Sequence, residues 1–215
     1  MLLLANRLGG GSFGPDHGYI STGFDELDVL LPGQGWPKGR LVEILSEAYA
    51  SGAALYVLMS ALAKLSRSRL CLAWVSPPYI PYAPTLVAMG VDLSKMLVIR
   101  ASSEEDKLWA LEQSLRSSAC GAVLGWLDAA RSNTLRRLQL AAEVGGGMGV
   151  LFRSLQAATQ PSPAVVRLRV EPRRDSLLLY LIKRVGGYPT GPIHLKVEGM
   201  VLKHTTKQRQ VRYRS

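Results

Sequence analysis

Leu41-Val42-Glu43-Ile44-Leu45-Ser46-Glu47-Ala48-Tyr49-Ala50-Ser51-Gly52-Ala53-Ala54 is the stretch on which the fold turns. Leu41–Leu45 is short and apolar enough for a buried strand, and Ala50–Leu65, rich in Ala, Leu and Met, has the composition of a helix. A strand that runs through small residues into a helix is the setting of a phosphate-binding loop, where backbone N–H groups at the helix start face the anion. A working loop also needs a Lys to reach the outer phosphates and a Ser or Thr to hold Mg²⁺. Here the loop is degenerate: Ser46 opens it, a single glycine (Gly52) survives, and Ala53 and Ala54 stand where Lys and Thr are required. Glu47 adds negative charge where phosphate would sit, which Coulomb repulsion disfavours. The architecture of a nucleotide site is present without its chemistry.

Outward from this stretch, strands and helices alternate. On the N-terminal side, residues 1–19, Gly-rich over 9–19, predict a flexible lead-in. Ile20–Leu31 predicts a short helix capped by Ser21 or Thr22, with Leu27, Leu30 and Leu31 on one face. On the C-terminal side the predicted strands are Leu70–Val75, Met96–Ile99, Gly121–Leu127 and Met148–Phe152. Between them lie predicted helices Tyr82–Met89 with Gly90 as C-cap, Glu104–Ser118, and Ser132–Val144. Continuous apolar strands separated by helices argue for a parallel sheet covered on both faces. After Met148–Phe152 the pattern changes: Gln156–Pro163 predicts a polar loop with no helix. Ala164–Glu171, Leu177–Arg184 and Ile193–Val197 then come with no room for crossover helices, so they should pair antiparallel at one edge. The expected class is α/β: a mainly parallel sheet of five strands flanked by helices, with a short antiparallel C-terminal extension. Residues 20–199 should form one domain carrying the degenerate nucleotide site, and residues 200–215 a basic tail.

The chain has 215 residues, 47 % of them hydrophobic and 20 % charged, which excludes bulk disorder and coiled coil. The uncharged run around Gly52–Ala63 is too short for a bilayer span of ~20 apolar residues. Met1-Leu-Leu-Leu-Ala-Asn-Arg-Leu lacks the basic start and the length of a signal peptide. Cys71 and Cys120 are at no metal-ligand spacing and read as reduced core residues, which fits a cytoplasmic protein. His17, His194 and His204 are too far apart to predict a metal site, and Ser21, Ser51 and Ser154 lack a nucleophile-elbow context. Of 26 Lys/Arg and 16 Asp/Glu, giving a net charge of +10, residues 161–215 hold 12 and 3. That local excess predicts an anionic partner. Arg167, Arg169, Arg173, Arg174, Lys203, Lys207, Arg209, Arg212 and Arg214 suit either salt-sensitive, sequence-independent contact with single-stranded DNA or docking on an acidic protein surface. Only Tyr213 offers a stacking ring among the tail residues, so base reading is not expected.

The segment Ile20-Ser-Thr-Gly, the run Gly35-Trp-Pro-Lys-Gly-Arg-Leu-Val-Glu-Ile, Met89-Gly-Val-Asp-Leu-Ser-Lys-Met-Leu-Val and Val123-Leu together resemble the RecA family. In that register the catalytic Glu of RecA proteins falls at Pro78, and the Mg²⁺-holding acid at the end of the fourth strand falls at Trp126. Asp128, two residues on, reads as a helix cap. The Lys–Thr pair and both acids are therefore absent together, which argues against ATP hydrolysis and leaves binding without hydrolysis open. Trp74-Val-Ser-Pro-Pro-Tyr-Ile-Pro-Tyr-Ala-Pro, Trp109-Ala-Leu-Glu-Gln-Ser-Leu-Arg-Ser, Cys120-Gly-Ala-Val-Leu-Gly-Trp-Leu and Ile182-Lys-Arg-Val-Gly-Gly-Tyr-Pro-Thr-Gly-Pro-Ile carry the resemblance further, to the ImuA family.

Residues 55–153, including Gly125-Trp126-Leu127, also resemble the SulA cell-division inhibitors. The missing nucleotide residues and the absence of ligand spacing predict a non-enzymatic protein without cofactor or metal, and the resemblance to ImuA implies an SOS-induced accessory factor of translesion DNA synthesis and mutagenesis after DNA damage. It implies RecA and ImuB as partners, and through ImuB an error-prone DNA polymerase III alpha-type subunit; the short apolar runs predict no membrane partner. The resemblance to SulA implies an inhibitor that binds FtsZ. Two further features bear on partners. Trp36, in a Gly/Pro turn, is either an exposed anchor or packed over the sheet edge. Tyr79 and Tyr82, on the stiff Pro77-Pro-Tyr-Ile-Pro-Tyr-Ala-Pro loop, either form a contact surface or pack on the emptied nucleotide pocket. Trp74, Trp109 and Trp126 read as core or interface residues.

Overall fold

The computed structural model of the chain describes residues 18–47 and 52–197. Two short strands, β1 (Tyr19–Ile20) and β2 (Trp36–Pro37), pair antiparallel around a one-turn helix α1 (Asp25–Asp28). The main sheet comprises β3 (Leu41–Ser46), β4 (Cys71–Val75), β5 (Met96–Ile99), β6 (Cys120–Trp126), β7 (Met148–Ser154), β8 (Val166–Pro172), β9 (Ser176–Arg184) and β10 (Thr190–Lys196). Its spatial order is β10-β9-β8-β3-β7-β6-β4-β5. The helices are α2 (Gly52–Tyr56), α3 (Met59–Ser66), α4 (Ala83–Ala88), α5 (Glu104–Arg116) and α6 (Ser132–Gly145).

β3, β6 and β7 are buried along nearly their whole length, as strands covered on both faces must be. One face packs Val42, Ile44, Leu72, Trp74, Leu124 and Phe152 under α2 and α3. The other packs Ala73, Val75, Val123 and Leu151 under α5 and α6. The strands thus alternate side chains between two cores, the period-2 consequence of the pleat.

Helix ends obey local chemistry. The Ser103 hydroxyl accepts from the Asp106 N–H (3.0 Å) and caps α5, whose first turn is acidic and whose last turn carries Arg116. Gly90 ends α4 in the left-handed region at φ +86°: its N–H donates to Val87 O and the Val91 N–H to Leu86 O. Leu86 and Val91 are both buried, which completes a Schellman motif.

Several expectations are corrected. The predicted helix 50–65 is two helices, α2 and α3, separated by a turn in which the Leu58 N–H donates to Leu55 O (3.0 Å). The tighter turn puts both Val57 and Leu58 fully into the core. The first helix spans only Asp25–Asp28, and neither Ser21 nor Thr22 caps it. The Thr22 hydroxyl instead accepts from the Phe24 N–H (3.1 Å), while the buried Thr22 donates its own N–H to Asp28 Oδ1 (2.8 Å). Tyr19, expected in the flexible lead-in, belongs to β1; residues 1–17 lie outside the described residues. A 3-10 turn, Leu155–Thr159, occupies the segment expected to lack any helix. It lets the chain cross from β7 to the far side of β3, where β8 pairs parallel, Val42 opposite Val166. Six strands rather than five are therefore joined by parallel pairings; β9 runs against them, and β10, antiparallel to β9, runs with them again.

Candidate functional site

The C-terminal ends of the parallel strands are where an open α/β sheet places its ligands. β3 ends there at the buried Ser46, and α2 begins at Gly52, with residues 48–51 outside the described segments. Gly52 is exposed, and a Cβ built on it would meet nothing within 4 Å. Ala53 and Ala54, at the positions a phosphate loop gives to Lys and Thr, are 1 % and 0 % exposed and belong to the core cluster under α2. Their methyl groups are structural packing, with no donor or ligand atom to offer.

The same end of the sheet is filled with rings. Trp126, the last residue of β6, stacks on its register partner Phe152 of β7, with centroids 4.8 Å apart and planes at 13°. Trp74 of β4 leans on Trp126 at 5.7 Å and 47°. All three are buried in the core that includes Ala53 and Ala54. An indole therefore occupies the strand end where Mg²⁺ chemistry requires a carboxylate, in an apolar setting that would strongly disfavour an unpaired ion. Asp128 does not cap α6, whose N-cap is Arg131. It stands exposed, and its Oδ1 accepts from the Ser154 N–H at 3.4 Å.

Pro78 lies in the loop after β4. That loop leaves the strand through Ser76 in the left-handed region, at φ +48°. Ser76 is pinned to the segment after β5: its N–H donates to Ile99 O (2.8 Å), and its Oγ accepts from the Ala101 N–H (3.2 Å). Pro77, Pro78 and Pro81 stiffen the loop beyond Ser76, and Pro84 starts α4. Tyr79 and Tyr82 project from this loop 62 % and 70 % exposed, with Ile80 exposed between them.

On the opposite face lies a buried ionic cluster that the sequence did not announce. Glu43 Oε1 accepts from Arg153 Nη1 (3.0 Å) and from the Ser162 hydroxyl (2.7 Å). Glu43 Oε2 accepts from Arg167 Nε (2.7 Å). Arg167 donates further to the carbonyls of Ala157 (2.5 Å), Ala158 (3.0 Å) and Gln160 (3.1 Å), and Arg153 to Gln160 Oε1 (2.9 Å). The two guanidinium groups thus tie the β7–β8 crossover to β3. Lys183 of β9 donates to Ser162 O (2.8 Å) beside them. Burial foremost, and then the Arg167 charge, hold its ammonium below the usual lysine range, with Glu43 opposing.

The basic residues expected as partner contacts are therefore not equivalent. Arg167 is corrected from an anion contact to a buried structural ion, because its charge is satisfied inside. Arg169 pairs with Glu171 and lies 5.2 Å over the Tyr180 ring, and Arg173 also donates to Glu171 (2.7 Å). Arg174 is exposed. Lys203, Lys207, Arg209, Arg212 and Arg214 lie outside the described residues. Trp36 is corrected as well: it is 0 % exposed, held opposite Ile20 in the small sheet, and cannot anchor a partner. Trp109, read as core or interface, is 65 % exposed on α5. Among the described residues no group of three or more His, Cys, Asp or Glu is placed to hold a metal ion, and no helix is long and apolar enough to cross a membrane.

Against known proteins, the model of the SulA family, described as cell division inhibitor SulA, matches residues 39–149. The chain belongs to the SulA family. That span runs from the turn before β3 to the start of β7, so it contains the stretch from Ser46 to Ala54 and the Trp74–Trp126 pair. Protein ImuA of Caulobacter vibrioides is 29 % identical over 137 residues, covering 62 % of this chain and 56 % of that protein. Cell division inhibitor SulA of Edwardsiella piscicida is 33 % identical over 92 residues, 41 % of this chain and 55 % of that one. Protein RecA of Francisella tularensis subsp. novicida is 27 % identical over 179 residues, 83 % of this chain and 47 % of RecA. The chain spans about half the length of the curated relatives it matches. A crystal structure of SulA from Pseudomonas aeruginosa aligns with a TM-score of 0.45 and 23 % identity over 53 % of this chain and 97 % of that one. This SulA-family chain is thus also related in sequence to ImuA and RecA.

Proposed function

We propose that this chain is a non-catalytic accessory protein of SOS-induced, error-prone translesion DNA synthesis. It acts by binding RecA, the ImuB polymerase-like adaptor or both, and through ImuB an error-prone DNA polymerase III alpha-type subunit. The observation that carries this reading is the replacement of nucleotide chemistry by packing. Ala53, Ala54 and Trp126 are buried in one core where a Lys, a Thr and an acid would be needed. A fold of this shape stripped of its chemistry retains its surfaces, and surfaces bind partners. The similarity to ImuA and to RecA favours the mutagenesis assignment. The protein works in the cytoplasm, at the nucleoid.

A second reading is supported by a specific observation: the family match over residues 39–149 is to cell division inhibitors. In that reading the protein binds FtsZ and arrests division. The deciding experiment is a pull-down of the full chain against RecA, ImuB and FtsZ, with ATP present and absent. Capture of RecA or ImuB independently of ATP is the expected result. Capture of FtsZ alone would transfer the protein to the inhibitor class. The exposed Tyr79 and Tyr82 are the proposed protein contacts, so Tyr79→Ala with Tyr82→Ala should weaken capture at least tenfold without lowering the unfolding midpoint.

A further inference from the structure

At the end of the sheet remote from the degenerate loop, β4 and β6 each begin with a cysteine. Cys71 and Cys120 are register partners across the parallel pair, and their Sγ atoms lie 3.2 Å apart, unbonded. We propose that Cys71 and Cys120 are a redox-modification site: a dithiol that closes to an intramolecular disulfide on contact with a peroxide and is reopened by a thiol reductant. The geometry already brings the two sulfurs into contact across the strand pair. Paired strands lie ~4.8 Å apart, inside the ~4.4–6.8 Å Cα separation that a disulfide spans. Bringing the sulfurs from 3.2 Å to a bond of about 2.05 Å is a closure of little more than ~1 Å. The backbone on both sides is held, since the Cys71 N–H donates to Ala119 O (2.8 Å) and the Cys120 N–H to Ser117 O (3.1 Å).

The two thiols are unequal, which assigns their roles. Cys71 is half-buried and open to a small oxidant, whereas Cys120 is buried. Burial foremost, together with the contact from Cys71, pushes the Cys120 thiol up to about 12, with Ser117 partly opposing. Cys71 is therefore the attacking sulfur and Cys120 the resolving one. The Cys71 thiolate attacks one peroxide oxygen and the O–O bond breaks. The sulfur is oxidised by two electrons to a sulfenic acid, and the second oxygen leaves as hydroxide and is protonated to water. The Cys120 sulfur then attacks Cys71 Sγ, the S–O bond breaks, and the hydroxyl departs as water with the Cys120 proton. Two thiols and one peroxide yield one disulfide and two waters.

The test treats the reduced full chain with hydrogen peroxide and reads titratable thiols, intact mass and non-reducing peptide maps. The expected result is loss of both thiols, a mass lower by two hydrogen atoms, a peptide linking residues 71 and 120 in a monomer, and recovery with dithiothreitol. Cys120→Ser should halt at a Cys71 sulfenic acid trapped by dimedone, and Cys71→Ser should leave Cys120 reduced. Oxygen addition without the linked peptide would overturn the proposal. So would a disulfide between chains, or a wild type that stays reduced at the peroxide dose that oxidises Cys71 in Cys120→Ser. Because the readout is covalent, it stands or falls independently of RecA, ImuB or FtsZ capture.

Discussion

Glu43 is the residue with the largest foreseeable effect on stability. It neutralises Arg153 and Arg167 from a fully buried position, and removing one member of such a cluster leaves charge with no counterion. Glu43→Gln should lower the unfolding free energy by about 3–5 kcal/mol in a urea titration. Arg174→Ala, at an exposed site, should stay within about 0.5 kcal/mol of wild type. Lys183 adds a pH signature. Below its depressed folded pKa it is charged in both states, and the burial cost is present in full. As pH rises through that value the folded protein releases the proton, while the unfolded chain keeps it until near the ordinary value of 10.5. The unfolded state then binds more protons, so stability rises with pH across that alkaline window. Lys183→Met should remove the rise, seen as a flatter plot of unfolding midpoint against pH up to 10.5.

Among the elements, the α5–α6 pair shows how close approach overrides propensity. Ala in place of Gly inside a helix is ordinarily worth about 1 kcal/mol. At Gly145, the last residue of α6, an added Cβ would stand 2.0 Å from the Leu115 carbonyl oxygen at the end of α5. That neighbour is backbone and cannot rotate away. Gly145→Ala should therefore lower the thermal midpoint rather than raise it. Across the same pair, Glu112 of α5 accepts from Arg116 (3.1 Å) and from Arg137 of α6. Burial raises its carboxyl and the two Arg hydrogen bonds more than offset it, so the net shift is downward. Its stabilising contribution is present above the ordinary carboxylate range and lost as pH falls through the lowered folded value. At the other end of the sheet, α2 tests the nucleotide reading directly. Ala53→Lys with Ala54→Thr restores the missing residue types but drives a cation into a position 1 % exposed. The double variant should lose at least about 2 kcal/mol of stability in denaturant titration. It should also gain no ATP binding by calorimetry, because Trp126 and Phe152 still fill the strand ends.

For the whole molecule, charge and partners separate. Among the described residues the C-terminal strands hold their cations largely in pairs, Arg167 with Glu43 and both Arg169 and Arg173 with Glu171. The further basic residues of the sequence, Lys203, Lys207, Arg209, Arg212 and Arg214, are the candidates that a salt titration tests. Single-stranded DNA binding by the full chain should weaken linearly in log–log salt, with a slope of about −0.7 per phosphate neutralised. A chain ending at Gly199 should lose most of the affinity and the slope together. Equal binding by both forms would remove the tail from the reading.

Local composition and period were enough to specify the alternation of strands and helices, the two-faced burial of the sheet, and the apolar start of α2. Apolar runs such as Gly121–Leu127, the stripe Leu108, Leu111 and Leu115, and two alanines after Gly52 can be read without knowing what lies beside them. Other features were settled only in three dimensions. Glu43 meets Arg153 and Arg167 across 110 and 124 residues of chain, so a basic residue read as a surface contact became a buried ion. Trp36, in a turn by composition, is closed over by a two-residue ribbon to Ile20. The strand Val166–Pro172 became parallel because a short 3-10 turn carried the chain past β3. Cys71 and Cys120 became neighbours because β4 and β6 are adjacent in a sheet order that skips sequence order. In each case the deciding quantity was which strand lies next to which, and the balance of core packing that selects that order is not carried by any local window of residues.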